Sequence, residues 1–353
     1  MRLSAILSTG CWLIFGCQPS ESTQASPPET ETVPIALLDT AQVLTTIAFG
    51  SCNKTTEPQP LWSEIIDQQP DLWVWLGDNI YGDTTDMAVM RQEYQKQFQQ
   101  TDYQKLLSVA PVIGVWDDHD YGINDGGKLF AQKAASRDLM LEFLQVDSSR
   151  PVWQREGGYQ SYTFGPEGQR VKIILLDTRY FRDTLMESSV EGVRYSPNPQ
   201  GDMLGEAQWA WLTEELNSSD AQFNIIGSSI QVIHEEHGFE KWANFPESHQ
   251  RLYDLIADSG AEGVVLLSGD RHIGEISRLK LEQMPYPLYD ITSSGLTHVY
   301  EEADEENRHR VSDLVTSLNY GLIQIDWESQ EVTYQIKGEN GATYASETVA
   351  YPF

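Results

Sequence analysis

The feature that most restricts the fold is a recurring unit: a short apolar run that ends abruptly in a cluster of Gly, Asp, Ser, Asn or His. It occurs at Leu44 to Phe49, Leu72 to Leu76, Val112 to Trp116, Phe223 to Ile226 and Val264 to Leu267. A further apolar strand is expected at Val171 to Leu176. Runs of this length without polar alternation read as strands buried on both faces. Between them lie helical patterns at Leu61 to Gln68, Met87 to Leu107, Lys128 to Leu144, Glu206 to Leu216 and Ser248 to Asp258. Strands alternating with helices predict an α/β protein whose mostly parallel sheet is covered on both faces. The tail differs: 275–280, 288–293, 321–327 and 331–337 read as strands with no long helix between them. No internal repeat and no second linker interrupt the body, which predicts one domain over residues 44–353.

Five polar clusters stand past strand ends, where open α/β sheets bind their ligands. They are Phe-Gly-Ser-Cys-Asn with Cys52; Leu-Gly-Asp-Asn-Ile-Tyr-Gly-Asp with Asp78, Asn79, Tyr81 and Asp83; and Trp-Asp-Asp-His-Asp-Tyr-Gly with Asp117, Asp118, His119 and Asp120. Gly-Ser-Ser-Ile-Gln carries Gln231, and Ser-Gly-Asp-Arg-His carries Asp270, Arg271 and His272. Taken singly, each has an ordinary reading, because Asp beside Gly is turn chemistry. Taken together they do not: strands of one sheet would deliver several carboxylates to one edge, where they repel unless cations lie between them.

The ends and the charge add constraints. Arg2 and the apolar run Leu3 to Phe15 fit a secretory signal peptide, too short to span a bilayer as a mature helix. The close of that run, Leu-Ile-Phe-Gly-Cys, resembles a bacterial lipoprotein signal, which would be cut before Cys17 and carry lipid on it. Phe15 is bulkier than the small residue usual there, and the alternative is a plain signal peptide cut within residues 17–26. Residues 18–43, rich in Ser, Thr, Pro and Glu, read as a flexible tether. The expected location is therefore outside the cytoplasmic membrane, on the periplasmic or cell-surface side, held by the lipid alone. Of three cysteines, Cys11 leaves with the signal and Cys17 takes lipid, so Cys52 has no disulfide partner. A lone thiol in an oxidising compartment is either buried and inert or a metal ligand. The 53 Asp and Glu against 23 Lys and Arg give a formal charge of -30, a field that repels a long nucleic acid.

The order of these motifs resembles the metallophosphoesterase superfamily, specifically its alkaline phosphatase D (PhoD-like) branch, over roughly residues 44–340. The resemblance implies a calcineurin-like sandwich of two central sheets, mostly parallel or mixed, flanked by helices. It implies two metal sites bridged by Asp78. Cys52, Tyr81 and His272 would complete the first, and Asp118, Gln231 and Asp270 the second. Cys52, Asp118, Gln231 and Asp270 depart from the general superfamily pattern in the way this branch does. The branch implies Fe3+ in the first site and Ca2+ in the second. Thiolate, phenolate and imidazole also suit zinc, and hard oxygen donors also suit magnesium or manganese. The implied reaction is hydrolysis of a small phosphomonoester or phosphodiester by in-line attack of a metal-bound hydroxide, with His119 as general acid at the leaving oxygen. Asn79 and Arg271 are candidates for touching phosphate oxygens. A monomer is expected.

Other features invite weaker readings. His234-Glu-Glu-His237 lacks the i, i+4 spacing of a zinc helix and reads as a loop at the pocket rim. Trp242 reads as packing, and the acidic run Glu301 to Glu306 as a solvated loop. Two rival functions follow from the same residues: a non-catalytic metal- or ligand-binding lipoprotein on a decayed site, and a thiol hydrolase using Cys52 with His119 or His272. The anchor is directly testable. Cys17→Ala is expected to move the protein from the membrane fraction to the soluble one, because so acidic a body has no other hold on anionic lipid; unchanged fractionation would refute the anchor.

Overall fold

The computed structural model describes residues 34–351. Fourteen strands form two six-stranded sheets and one small hairpin. The first half contributes β1 (Thr46–Gly50), β2 (Leu72–Leu76), β3 (Val112–Val115), β4 (Gln160–Phe164), β5 (Val171–Leu175) and the hairpin strands β6 (Met186–Glu187) and β7 (Tyr195–Ser196). The second half contributes β8 (Phe223–Gly227), β9 (Val264–Ser268), β10 (Gly274–Leu279), β11 (Leu288–Ser293), β12 (Tyr320–Asp326), β13 (Glu331–Lys337) and β14 (Thr343–Ala350). One sheet runs β14-β13-β12-β1-β2-β3, the other β10-β11-β9-β8-β5-β4. Within them β1, β2 and β3 are mutually parallel, as are β5, β8, β9 and β11, and the remaining pairings are antiparallel. The single mostly parallel sheet read from alternation is thus two mixed sheets, the sandwich that the resemblance implied.

The seven helices are α1 (Leu61–Asp67), α2 (Met87–Phe98), α3 (Thr101–Val109), α4 (Asp118–Tyr121), α5 (Lys133–Phe143), α6 (Gly205–Asn217) and α7 (Pro246–Asp258). Every residue of β2, β5, β8 and β9 is buried, which is why their sequences do not alternate. On one outer face, Trp62 of α1 and Tyr103 of α3 meet Trp73 and Trp75 of β2 edge-on or tilted, with ring centroids 5.1–5.8 Å apart. The Trp75 indole nitrogen also donates to the Tyr103 hydroxyl at 3.0 Å, so this aromatic nest satisfies its own polar group. On the other outer face, Lys172 of β5 reaches the α6 carbonyl of Glu215 at 2.6 Å. Between the sheets, Gly227 of β8 leaves room for Leu76 of β2, and Gly274 of β10 for Ile336 of β13.

Two expectations change. The helix expected over Met87–Leu107 is two: the backbone is extended at Gln100, whose side chain accepts from the Asp102 amide and starts α3 afresh. The helix expected from Lys128 begins only at Lys133. The residue run read as tether touches the body before Leu44: the Ala36 amide donates to Leu107 O, the Gly165 amide to Thr40 O, and Gln42 to Asp71. The signal peptide, Cys17 and residues 18–33 lie outside the described residues. Trp242 is buried, and its indole nitrogen donates to Ser228, in keeping with packing.

The turn after β2 depends on Gly77. Its φ is +93°, and a Cβ there would fall on Asp117 Cβ and lie 2.7 Å from the Asp117 amide nitrogen. Gly77→Ala therefore combines a left-handed backbone with a backbone clash. It is expected to lower stability by about 3 kcal/mol in urea unfolding; an unchanged midpoint would show that this strand end relaxes freely.

Candidate metal centre

The ends of β1, β2, β3, β8 and β9 bring the predicted residues together. Cys52, Asp78 and His272 each offer one donor atom within 4.8 Å of one another; so do Asp78, Asp118 and His119, and so do Asp117, Asp118 and Asp270. Asp78 belongs to two of these groups and joins them. Its Oδ2 lies 3.5 Å from Cys52 Sγ and 3.2 Å from the Tyr81 hydroxyl. The Tyr81 hydroxyl in turn is 3.1 Å from His272 Nε2. Cys52, Asp78, Asp270 and His272 all have positive φ, from 48° to 69°, a region that non-glycine residues seldom occupy. Sharp left-handed turns at strand ends let these side chains point inward, and such strain concentrates at functional sites.

Electrostatics explains what the cluster lacks in protein charge. Burial and the neighbouring Asp118 carboxylate push Asp78 well above the usual carboxylate range. Burial, then Asp117 and Asp118, do the same to Asp270. Burial and Asp78 raise both the Cys52 thiol and the Tyr81 phenol. Burial, helped by His298 and Arg271, lowers His272 to about 3, so its ring is a neutral donor. Asp118 goes the other way: burial is outweighed by Arg179 and His119, which hold it below the usual range. A set of buried oxygen and sulfur donors that cannot all be ionised without added positive charge fits cations. Unpartnered atoms fit them too: Asp118 Oδ1 and Gln231 Oε1 are buried with no hydrogen-bond partner among the described residues.

Gln231 stands past β8 with its amide nitrogen fixed by Glu275 at 2.6 Å and Thr292 at 2.9 Å. His119 stands at the start of α4, its ring against that of Tyr81 at 4.1 Å. Its Nδ1 is 2.7 Å from Asp83 Oδ1. Burial works against a charged ring, yet the Asp83 contact and the anions at Asp78 and Asp118 outweigh it and raise His119 to about 10. A cleft of about 410 Å³ opens over Asp118, His119, Asp270 and His272, with Arg194 and Arg271 in its wall. Arg271 lies over the Phe239 ring at 4.2 Å and pairs with Glu305.

Several assignments change. Asn79 does not offer a donor to a phosphate: its amide nitrogen is spent on Val115 O at 3.1 Å and Asp120 Oδ2 at 2.7 Å. The thiol hydrolase reading fails, because Cys52 is fully buried, its thiol is raised rather than lowered, and its partner is Asp78 rather than an imidazole. His234 and His237 stay out of the cluster, as their spacing implied, but both are buried rather than at a rim; His234 contacts Glu275 at 3.0 Å and Glu306 O at 2.8 Å. The acidic run is not wholly solvated, since Glu305 pairs with Arg271.

Sequence reasoning missed three parts. His298 Nε2 sits 3.1 Å from the Tyr81 hydroxyl, and its ring lies 4.3 Å from that of His272. It follows β11 in Ser-Ser-Gly-Leu-Thr-His, the same strand-end signal that exposed the other clusters. Arg179, just past β5, is fully buried and pairs with Asp117 and Glu240, both at 2.6 Å. Its charge lies against Asp117, although burial still raises that carboxyl to about 6. Asp83 was visible in its motif, but its contact with His119 was not.

A model of the PhoD-like phosphatase family matches residues 47–335. Alkaline phosphatase D of Bacillus subtilis (strain 168) is 24% identical over 297 residues, covering 72% of this chain and 50% of that protein. The chain thus spans about half the length of the curated relative it matches. A solved structure of PhoD superposes with a TM-score of 0.69 at 18% identity, covering 90% of this chain and 71% of that one. Purple acid phosphatase PPD1 from yellow lupin (Lupinus luteus) seeds gives 0.58 at 12% identity, covering 87% and 54%. At these identities both structures speak for the fold.

Cations that replace the Cys52, Asp78 and Tyr81 protons must release them, and their affinity must rise with pH. Calorimetric titration in buffers of different ionisation enthalpy is expected to show net proton release. Heats independent of the buffer would remove the thiol and phenol from the donor set.

Proposed function

The chain belongs to the PhoD-like phosphatase family, and on that premise we propose that it hydrolyses small phosphate monoesters or diesters at a two-cation centre, outside the cytoplasmic membrane. The observation that carries this reading is the shared position of Asp78 between the Cys52–His272 group and the Asp118 group. Cys52, Asp78, Tyr81 and His272 would hold one cation, and Asp78, Asp118, Gln231 and Asp270 the other. Sulfur, phenol and imidazole donors favour a ferric ion in the first place, and all-oxygen donors favour calcium in the second. Bound there, the pair would supply a nucleophile at neutral pH and offset charge on the phosphoryl oxygens.

The chain's own groups do the rest. His119 holds a proton on a ring whose orientation Asp83 fixes, and it faces the cleft, so it is placed to protonate a departing alkoxide. Arg271 presents a guanidinium beside Asp270 and His272; Glu305 and the Phe239 ring hold it flat, ready to take phosphate oxygens. Arg194, half exposed, is the second positive group in the cleft wall. The lipid anchor at Cys17 and a monomeric state belong to the same reading.

Two experiments test it. Asp78→Asn is expected to abolish hydrolysis of every ester, whereas His119→Asn should cost little on a nitrophenyl ester and about 10²–10⁴-fold on an alkyl ester, whose leaving group needs the proton. Equal losses on both esters with metal content intact would remove His119 from the acid role. The second uses pH. An acid must be protonated to work, so activity on an alkyl ester falls as pH rises through the His119 pKa. Asp83→Asn deletes an anion that holds that proton, so the basic limb of kcat/KM should move to lower pH. A limb that stays in place would show that Asp83 does not set it.

A further inference from the structure

We propose that Glu275 is a positioning residue that turns Gln231 so that its side-chain carbonyl oxygen faces the second cation place. The proposal rests on the two-cation reading above and adds the reason why an amide, whose two ends are nearly alike in shape, presents oxygen and not nitrogen. Gln231 is buried, and Ser229, two residues earlier, hydrogen-bonds to Asp117 and accepts from the Gly269 amide, which sets this loop beside Asp270. Both hydrogens on Gln231 Nε2 are committed. One goes to Glu275 Oε1 at 2.6 Å and one to Thr292 Oγ1 at 2.9 Å. Its Oε1 is buried with no partner among the described residues.

Each anchor ends in an anion. Thr292 Oγ1 is 2.8 Å from Ser268 Oγ, which donates to Asp290 Oδ1 at 2.8 Å. With the Ser268 hydrogen spent on Asp290, Thr292 must donate to Ser268, so it faces Gln231 as an acceptor. Glu275, wholly buried, is an acceptor by charge. Reversing the amide would set its oxygen against both acceptors, which a buried site does not tolerate.

Two segments that the proposed reaction leaves unused converge on Glu275. His234, from the His-Glu-Glu-His stretch, contacts Glu275 Oε1 through Nδ1 at 3.0 Å while its Nε2 meets Glu306 O at 2.8 Å. Asn307, just past the acidic run, donates to the same Oε1 at 3.0 Å, and Arg310 Nε donates to Oε2 at 2.5 Å. Three nitrogens therefore meet on one oxygen and a guanidinium on the other. Glutamine at 275 would have to aim its NH₂ either at Arg310 or at Gln231; in the second case Gln231 is invited to rotate.

The test is manganese(II) titration of the full chain, with the free ion counted by electron paramagnetic resonance. The unaltered protein should take up two ions. Gln231→Ala identifies the step that belongs to the second place, and Glu275→Gln should weaken that second step about 10–100-fold and leave the other as it was. Thr292→Val should weaken the same step by less. In a Gln231→Ala background, Glu275→Gln should add no further loss. An unaltered protein that binds fewer than two ions would sink the two-cation reading itself. Two ions bound, with an unchanged second step in Glu275→Gln or an additive loss in the Gln231→Ala background, would sink only the positioning role. If Glu275→Gln does not fold when free of metal, as judged by thermal unfolding, Thr292→Val decides, and an unchanged second step there overturns the proposal.

Discussion

Asp78 lies where two families of donor meet, and the electrostatics of the cleft follows from that placement. This fully buried carboxyl beside Asp118, Cys52 and Tyr81 is pushed well above the usual carboxylate range by desolvation and like charge. The protein supplies some positive charge nearby, but to other groups: Arg179 to Asp117 and Glu240, Arg310 to Glu275. None of these guanidiniums is paired with Asp78 or Asp270. Acids around the centre are thus ion-paired directly with arginine, whereas Asp78 and Asp270 are not, and Asp118 is held below the usual range by Arg179 and His119. Removing one partner of a buried pair is far costlier than the pair is worth.

That arrangement also demands unusual backbone. Two sheets must deliver donors from five strand ends into one small volume, and a strand that simply continued would carry each side chain past it. The positive φ values at Cys52, Asp78, Asp270 and His272 turn the chain within one or two residues of the strand. Such conformations cost of order 1–3 kcal/mol each. Asp120 offsets part of that cost at β2: it accepts from the Asp78, Asn79 and Asp117 amides and from the Asn79 side chain. This is also why Asn79 is structural. Its donors hold a strained turn closed and leave nothing for a substrate.

The sequence made the strands and the cluster identities legible for a common reason. Strands buried on both faces carry unbroken apolar runs, and their ends stand out as abrupt changes to Asp, Asn and His. It did not show what depends on distant partners. Strand β4 pairs only at a sheet edge and has exposed Thr163, while β14 alternates at the edge of the other sheet, so neither has the apolar signature. The break between α2 and α3 turns on a glutamine acting as a cap, a residue that elsewhere favours helix. Arg179, His298 and Glu275 are separated from their partners by 61–62, 217 and 44 residues, and only the folded chain juxtaposes them. Of these, His298 and Arg179 follow strands and obey the strand-end rule; Glu275 lies inside β10, where no positional rule points to it.

The overall charge acquires meaning against this site. On the proposed reading, a formal charge of -30 would disfavour an approaching polyanion, and more so at low ionic strength. Within the cleft, charges of both signs are interleaved. Arg271 and Arg194 stand in the wall beside Asp118, Asp125, Glu240 and Asp270, paired with Glu305 and Asp125 respectively, and Lys54 lies over the Tyr81 ring at 5.1 Å. Cations on the Asp78 cluster would supply local positive potential at short range, where low-dielectric walls and exclusion of water make it count most. A compact ester with one phosphate can present its charge to those few groups alone. A long polyanion must lay the rest of its charges along an acidic surface. On the proposed reading, size discrimination would need no dedicated gate, because the same acidity that favours cations at the centre also sets the field outside it.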